Sequence, residues 1–247
     1  MNIKKHIPNA ITCGNLFCGC LAIVAAFKGN LVMTAYLVGI AAVLDFFDGF
    51  VARLLKVGGE LGKQLDSLAD MVTFGVVPGV VMYQMITFSL NAHHINAIDN
   101  NLKYLPYLGF LITIFSCIRL AKFNIDTRQT NSFIGVPTPA NTILICSFPL
   151  INKFQEIYPF FLLTENLWIF IGITILMSYL LIAELPLFAM KFKNFGWPDN
   201  KIRYSFLIIS VILLILFQFI AIPFIIFLYI VLSIINNMMN KNKTVEH

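Results

Sequence analysis

Apolar runs long enough to cross a lipid bilayer recur along almost the whole chain, and that recurrence limits the fold more than any motif does. A hydrocarbon core of about 30 Å takes roughly 20 helical residues at about 1.5 Å each. Eight segments qualify on that scale: 10–27, 31–55, 64–90, 104–123, 138–152, 167–189, 204–220 and 222–239. The fifth is short, and the last two are divided only by a break placed at Ala221, Ile222 and Pro223. The expected fold is therefore an all-α polytopic membrane protein of about eight transmembrane helices. It reads as a single membrane domain over 1–247, with a core at about 7–190 and extra C-terminal helices at about 204–239. Only 12% of residues are charged, about half the usual share of a soluble domain. No polar stretch is long enough for a soluble module.

Basic residues orient the chain, because Lys and Arg collect on the cytoplasmic side. With the N-terminus inside and the spans alternating, 14 of the 17 lie inside, and Lys28, Lys103 and Lys153 lie outside. The expectation is a protein of the cytoplasmic (inner) membrane with both termini in the cytosol. The basic start and apolar run at the N-terminus imitate a secretory signal, but with further spans after them they read as a retained first helix. The net charge of +5 marks a face next to anionic membrane lipid and calls for no nucleic acid. Cys13, Cys18, Cys20, Cys117 and Cys146 sit in apolar runs without the His spacing of zinc sites, and read as small buried hydrophobes. His93, His94, Asp99, Glu156 and Glu165 read as solvated loop residues, and the tail NKNKTVEH as disordered. Glu184 falls in the sixth span, two residues before a helix-kinking Pro186.

One stretch breaks the apolar pattern. LDFFDGFVARLLKVGGELGKQLDSLAD, at 44–70, carries five of the chain's twelve acids between two very apolar regions. Ionised groups there are costly and mark function. Asp45 and Asp48 are three apart, and Asp66 and Asp70 four apart, so each pair shares a helix face. The two helices are consecutive and joined by a short loop, so they run antiparallel and can turn those faces to each other. Carboxylates that close cannot all stay ionised without a counter-charge. Oxygen ligands with no Cys or His suit hard ions such as Mg²⁺, Mn²⁺ or Ca²⁺, and two such ions would balance four carboxylates. Gly49 and Ala52 leave room beside the helix, and Arg53 is a fork-shaped cation suited to phosphate.

The spacing of Asp45, Asp48, Gly49, Ala52, Arg53, Gly62, Asp66 and Asp70 resembles the full signature of the CDP-alcohol phosphatidyltransferases. Further stretches resemble the phosphatidylserine synthase branch of that family: IPNAITCGNLFCG at 7–19, LDSLADMVTFGVVPG at 65–79, IRLAKFN at 118–124 and FIGVPTPA at 133–140. The resemblance implies a core of six transmembrane helices, a homodimer and a cytosol-facing cavity. It implies transfer of a phosphatidyl group from CDP-diacylglycerol to the hydroxyl of L-serine, with release of CMP. It also implies two divalent cations, Mg²⁺ or Mn²⁺, on Asp45, Asp48, Asp66 and Asp70, with Asp70 also acting as general base. Gly49, Ala52 and Arg53 would meet the CDP-lipid, as would Pro8, Asn9, Ala10, Ile11 and Thr12 at the entry to the first helix. Gly59 stands where some members carry Thr or Ser on the donor phosphate.

A zwitterionic acceptor needs a cation for its carboxylate, and Arg119 and Lys122 lie near the cytoplasmic end of the fourth span. Lysine or arginine at a helix end also snorkels to lipid phosphate. Asn124 would contact a substrate or terminate the helix. Pro137 and Thr138 would start the fifth helix, as a rigid turn or as part of an acceptor pocket. Three alternatives stand beside serine transfer: another acceptor, a cation transporter, and a catalytically dead, metal-bound scaffold, against which the intact motif argues. Another acceptor, such as glycerol 3-phosphate or inositol phosphate, would call for more clustered cations. A cation transporter would spread its acids through the membrane depth rather than crowd them at one face. The donor assignment makes Arg53→Ala a direct test: the affinity for CDP-diacylglycerol should fall, and an unchanged affinity would count against that role.

Overall fold

Helices follow the apolar runs closely in this computed structural model, which describes residues 4, 6–92, 102–126, 132–155, 166–188 and 196–245. The loop residues His93, His94, Asp99, Glu156 and Glu165 lie outside these. Helices α1 (His6–Phe27) and α2 (Leu31–Leu54) pack as an antiparallel hairpin. Gly29 turns the hairpin with φ at +74°, a left-handed conformation that glycine adopts without steric cost. The N–H groups of Gly29 and Asn30 then donate to the carbonyls of Ala26 and Ala25 at 2.9 and 3.0 Å, closing the end of α1. Asn30 also caps α2, its Oδ1 accepting from the Met33 N–H at 3.0 Å.

Helix α3 (Glu60–Asp70) runs through a π turn (Met71–Val76) into α4 (Val77–Ala92). Pro78 explains the π turn. Proline has no N–H and its ring crowds the carbonyl four residues earlier, which here belongs to Phe74. The helix widens, and the Val77 N–H reaches back to the Val72 carbonyl. The loosened carbonyls find donors on other helices: the Thr142 hydroxyl donates to Phe74 O and the Thr113 hydroxyl to Gly75 O, both at 3.0 Å. An unsatisfied carbonyl in hydrocarbon would be costly, so these two threonines make the break tolerable. The π turn also packs closely on α1. A Cβ at Gly19 would collide with the Thr73 hydroxyl and lie 3.1 Å from its Cα.

A 3₁₀ stretch (Leu102–Gly109) leads into α5 (Phe110–Ile125), followed by β1 (Ser132–Ile134), α6 (Thr138–Phe154), α7 (Leu167–Ile182) and β2 (Pro186–Phe188). Helix α8 (Trp197–Phe217), a 3₁₀ turn (Gln218–Ile220) and α9 (Ala221–Val245) complete the chain. Among the described residues, five helical stretches are long and apolar enough to cross a membrane. The last of these, Asn200–Asn237, folds back at the 3₁₀ turn: Phe206 and Tyr229, on either side of it, meet with ring centroids 5.7 Å apart. Helices α6 and α7 are shorter, and α7 is apolar throughout. The core, with Ala26, Val38, Val81, Ile145 and Phe170, lies between α1, α2, α4, α6 and α7. Outer faces stay apolar, as a lipid-facing surface must: Ile215 on α8 is 74% exposed. The chain is an all-α integral membrane protein. Its one sheet among the described residues is the short antiparallel ribbon in which Phe133 opposes Leu187.

The two ends of the bundle can be sorted by contact. Gln155 donates to the Phe217 carbonyl at 2.9 Å at one end, where Lys28 and Lys153 also share a surface hollow. At the other end, Lys63 donates to the Asn124 carbonyl at 3.0 Å and β1 pairs with β2.

Four sequence expectations need correction. Helix α7 ends at Ile182, so Glu184 is in an exposed loop and not in a span; Ala183 is already extended, and the Val136 and Gly135 N–H groups take the Leu180 and Leu185 carbonyls in place of further helical bonds. The break between the last two helices is at Gln218–Ile220, and Pro223 sits within the first turn of α9, where its missing N–H costs nothing. Of the five cysteines only Cys146 is buried; Cys13, Cys20 and Cys117 are exposed and Cys18 partly so. The polar tail continues α9 as far as Val245, since extending an existing helix is easy once its nucleus is formed. The π-turn account predicts that Thr142→Val, which keeps the shape and removes the donor, destabilises the protein by about 1–3 kcal/mol. Thermal unfolding in detergent checks this; Thr142→Ser should keep most of the wild-type midpoint.

Candidate functional site

The acids of α2 and α3 converge where these helices meet the start of α1. Carboxylate oxygens of Asp45, Asp48 and Asp66 all lie within 4.8 Å of one another. Asp48 is the most enclosed, at 6% exposure, and the Thr12 hydroxyl donates to its Oδ2 at 2.6 Å. Asp70, one helical turn beyond Asp66, lies within hydrogen-bonding reach of Asp45. The Asn15 side-chain amide donates to Asp70 Oδ1 at 3.4 Å, and Asn15 is fully buried. Thr12 and Asn15 are three residues apart on α1, so one face of that helix supplies a donor to each side of the cluster.

A cavity of about 440 Å³ opens beside the carboxylates, within the usual range for a small-molecule site. Helix α1 lines it with His6, Pro8, Asn9 and Thr12; α2 with Asp48, Gly49 and Ala52; the loop into α3 with residues 57–59; and α3 itself with residues 60–63 and Asp66. Of the five entry residues 8–12, the structure brings Pro8, Asn9 and Thr12 to the cavity. Ala10 and Ile11 lie outside its lining, on other faces of the helix. Gly59 lines it, and no side chain comes within 4 Å of where its Cβ would be. Arg53 is exposed and folds back over Gly49, its Nη1 3.7 Å from the position of a Cβ there. The loop turns sharply just after α2. Lys56 adopts φ of +52°, and the N–H groups of Lys56 and Val57 return to the carbonyls of Arg53 and Ala52. His6 and Lys63 were not expected at the cavity from sequence. Lys63 follows Gly62 directly, so the motif spacing already placed it near the site.

The residues proposed for an acceptor separate into two groups. Arg119 is 6% exposed, and its Nη1 donates to the Thr138 hydroxyl at 3.4 Å, at the first residue of α6 after Pro137. Its Nε has no partner, and its charge is within electrostatic range of Asp70. Arg119 and Lys122 line a second cavity, of about 330 Å³. Asn124 lines neither cavity. It ties α5 to α3, exchanging hydrogen bonds with Ser67 at 2.8 and 3.2 Å while its carbonyl accepts from Lys63.

This geometry can be set beside known proteins. The family model for CDP-alcohol phosphatidyltransferases matches residues 5–235. A CDP-diacylglycerol–serine O-phosphatidyltransferase of Helicobacter pylori strain J99 is 30% identical over 212 residues, covering 85% of this chain and 79% of that protein. The protein of the same name in Bacillus subtilis strain 168 is 36% identical over 139 residues, 55% of this chain and 70% of the relative. An archaetidylserine synthase of Methanothermobacter thermautotrophicus is 30% identical over 171 residues, 66% of this chain and 68% of the relative. With nearly its whole length matched and three of the four signature aspartates converging within 4.8 Å, the chain belongs to the CDP-alcohol phosphatidyltransferase family.

Proposed function

We propose that the protein transfers the phosphatidyl group of CDP-diacylglycerol to the hydroxyl of L-serine, giving phosphatidylserine and CMP, at a metal-dependent site on the cytosolic face of the cytoplasmic membrane. The observation that carries this reading is the convergence of three carboxylates within 4.8 Å beside an open cavity. The serine acceptor is supported by relatives named for serine or archaetidylserine products. The basic end of the bundle supports the cytosolic placement. The reading includes a homodimer, for which α2 offers the exposed row Phe46, Phe47 and Phe50.

An all-oxygen donor set fits Mg²⁺ or Mn²⁺, and Asp45, Asp48, Asp66 and Asp70 would hold two such ions. When bound, they would neutralise charge developing on the leaving CMP phosphate. The chain's own groups do the rest. Pro8, Asn9 and Thr12 form one wall for the donor, and the absent or small side chains of Gly49, Gly59 and Ala52 admit it. Arg53 meets its phosphates through a guanidinium fork. Asp70, positioned by Asn15, takes the proton of the serine hydroxyl as that oxygen attacks the phosphorus bearing the diacylglycerol. Its usefulness lies in position, since a carboxylate is an intrinsically weak base for an alcohol. Arg119, with Thr138 and the start of α6 after Pro137, forms the carboxylate end of the acceptor pocket together with Lys122. Asn124 acts indirectly, by fixing α3 against α5.

Purified protein given CDP-diacylglycerol and Mg²⁺ or Mn²⁺, with labelled serine, glycerol 3-phosphate or inositol phosphate in separate reactions, tests the reading. Labelled lipid is expected from serine alone; product from glycerol 3-phosphate and not serine would overturn the acceptor. Asp70→Asn should bind the donor normally and lose turnover by about two to four orders of magnitude, and an active variant would refute the base assignment.

A further inference from the structure

The second cavity carries more charge than an acceptor carboxylate needs. Besides Arg119 and Lys122 it is lined by two acids, Asp126 and Glu184, with Ile134 and Leu181 among its apolar walls. A pocket with two cations and two acids matches a small zwitterion better than an anion. Arg119 marks it as a binding site: it is almost wholly buried, and its Nε is without a partner. A buried donor of that kind is costly unless a ligand engages it.

Glu184 is held at this cavity by the backbone around it. Helix α7 stops at Ile182, and Ala183 is extended. The Val136 N–H donates to the Leu180 carbonyl at 2.9 Å and the Gly135 N–H to the Leu185 carbonyl at 3.0 Å. These bonds clamp the chain on both sides of Glu184 against the segment entering α6, which begins at the Arg119 partner Thr138. Asp126, the other acid, already has an interaction partner.

We infer that Glu184 binds the ammonium group of the acceptor, so that the cavity recognises an amino acid by both poles: carboxylate at Arg119 and Lys122, ammonium at Glu184. The inference rests on the serine reading above and adds the residue that makes the site reject hydroxy acids without an amine. A carboxylate–ammonium contact is a charge-assisted hydrogen bond, stronger than a neutral one.

The test uses purified full-length protein in mixed micelles with CDP-diacylglycerol and Mg²⁺, comparing wild type, Glu184→Gln and Glu184→Asp. Glu184→Gln should raise the KM for L-serine about 10- to 100-fold and leave the KM for CDP-diacylglycerol within about twofold, with Glu184→Asp recovering part of the loss. The decisive probe is 3-hydroxypropanoate, which has the hydroxyl and carboxylate of serine but no ammonium. Its inhibition constant should fall in Glu184→Gln relative to wild type, because the variant removes the unpaired carboxylate that disfavours a ligand without an ammonium. An unchanged serine KM in Glu184→Gln would overturn the inference, and so would equal weakening of serine and 3-hydroxypropanoate, which would mark a merely structural role. Wild-type enzyme that makes lipid from glycerol 3-phosphate but not from serine would defeat the acceptor reading itself, a result distinct from either.

Discussion

Mutual repulsion between carboxylates is the constraint around which this structure is arranged. Oxygens of Asp45, Asp48 and Asp66 converge within 4.8 Å, with Asp70 in reach of Asp45. Solvent screening is weak where Asp48 is 6% exposed. The cluster is held by elements that gain stability elsewhere. The α1–α2 hairpin is closed by Gly29 and Asn30 at the far end of the bundle, and it brings Thr12 and Asn15 to the near end as donors. Two donors do not cancel the charge, and divalent cations would: the crowding of carboxylates that repel one another is what an ion bound between them would relieve.

The membrane imposes the second constraint, satisfaction of every backbone group. Helix α3 ends its polar face at Asp70 and must continue at once into hydrocarbon. Pro78 interrupts that continuation, and threonines from α5 and α6 restore the lost hydrogen bonding at Gly75 and Phe74. Those same helices carry Arg119 and Thr138. The element that repairs the third span is therefore continuous with the one that carries the second cavity, which ties the aspartate cluster to that cavity mechanically.

Much of this was legible in the sequence because its physics is local and periodic. Bilayer thickness sets segment length, so helix limits such as Leu31–Leu54 fall within a residue or so of the expected 31–55. Helical spacing alone puts Asp45 with Asp48 and Asp66 with Asp70. Features that depend on distant partners were not legible. Nothing near Glu184 signals that its loop is clamped to residues 135 and 136, and hydropathy alone extended the sixth span across it. The β1–β2 ribbon joins segments more than fifty residues apart and has no periodic signature. Asn15 is one polar residue in an apolar helix, and only the packing of α1 on α3 brings its amide to Asp70. The π turn was not legible either: the apolar run at 64–90 reads as continuous, although Pro78 four residues after Phe74 is its physical cause.

Binding of a divalent cation to the aspartate cluster is the central claim, and it can be measured without turnover. Mn²⁺ titrated into the purified full-length protein, and followed by electron paramagnetic resonance, reports free ion directly. The account predicts that wild-type protein removes the free signal up to about two ions per chain, and that Asp48→Asn and Asp66→Asn each weaken this at least about tenfold. Wild-type protein that leaves as much free Mn²⁺ as buffer alone would contradict it.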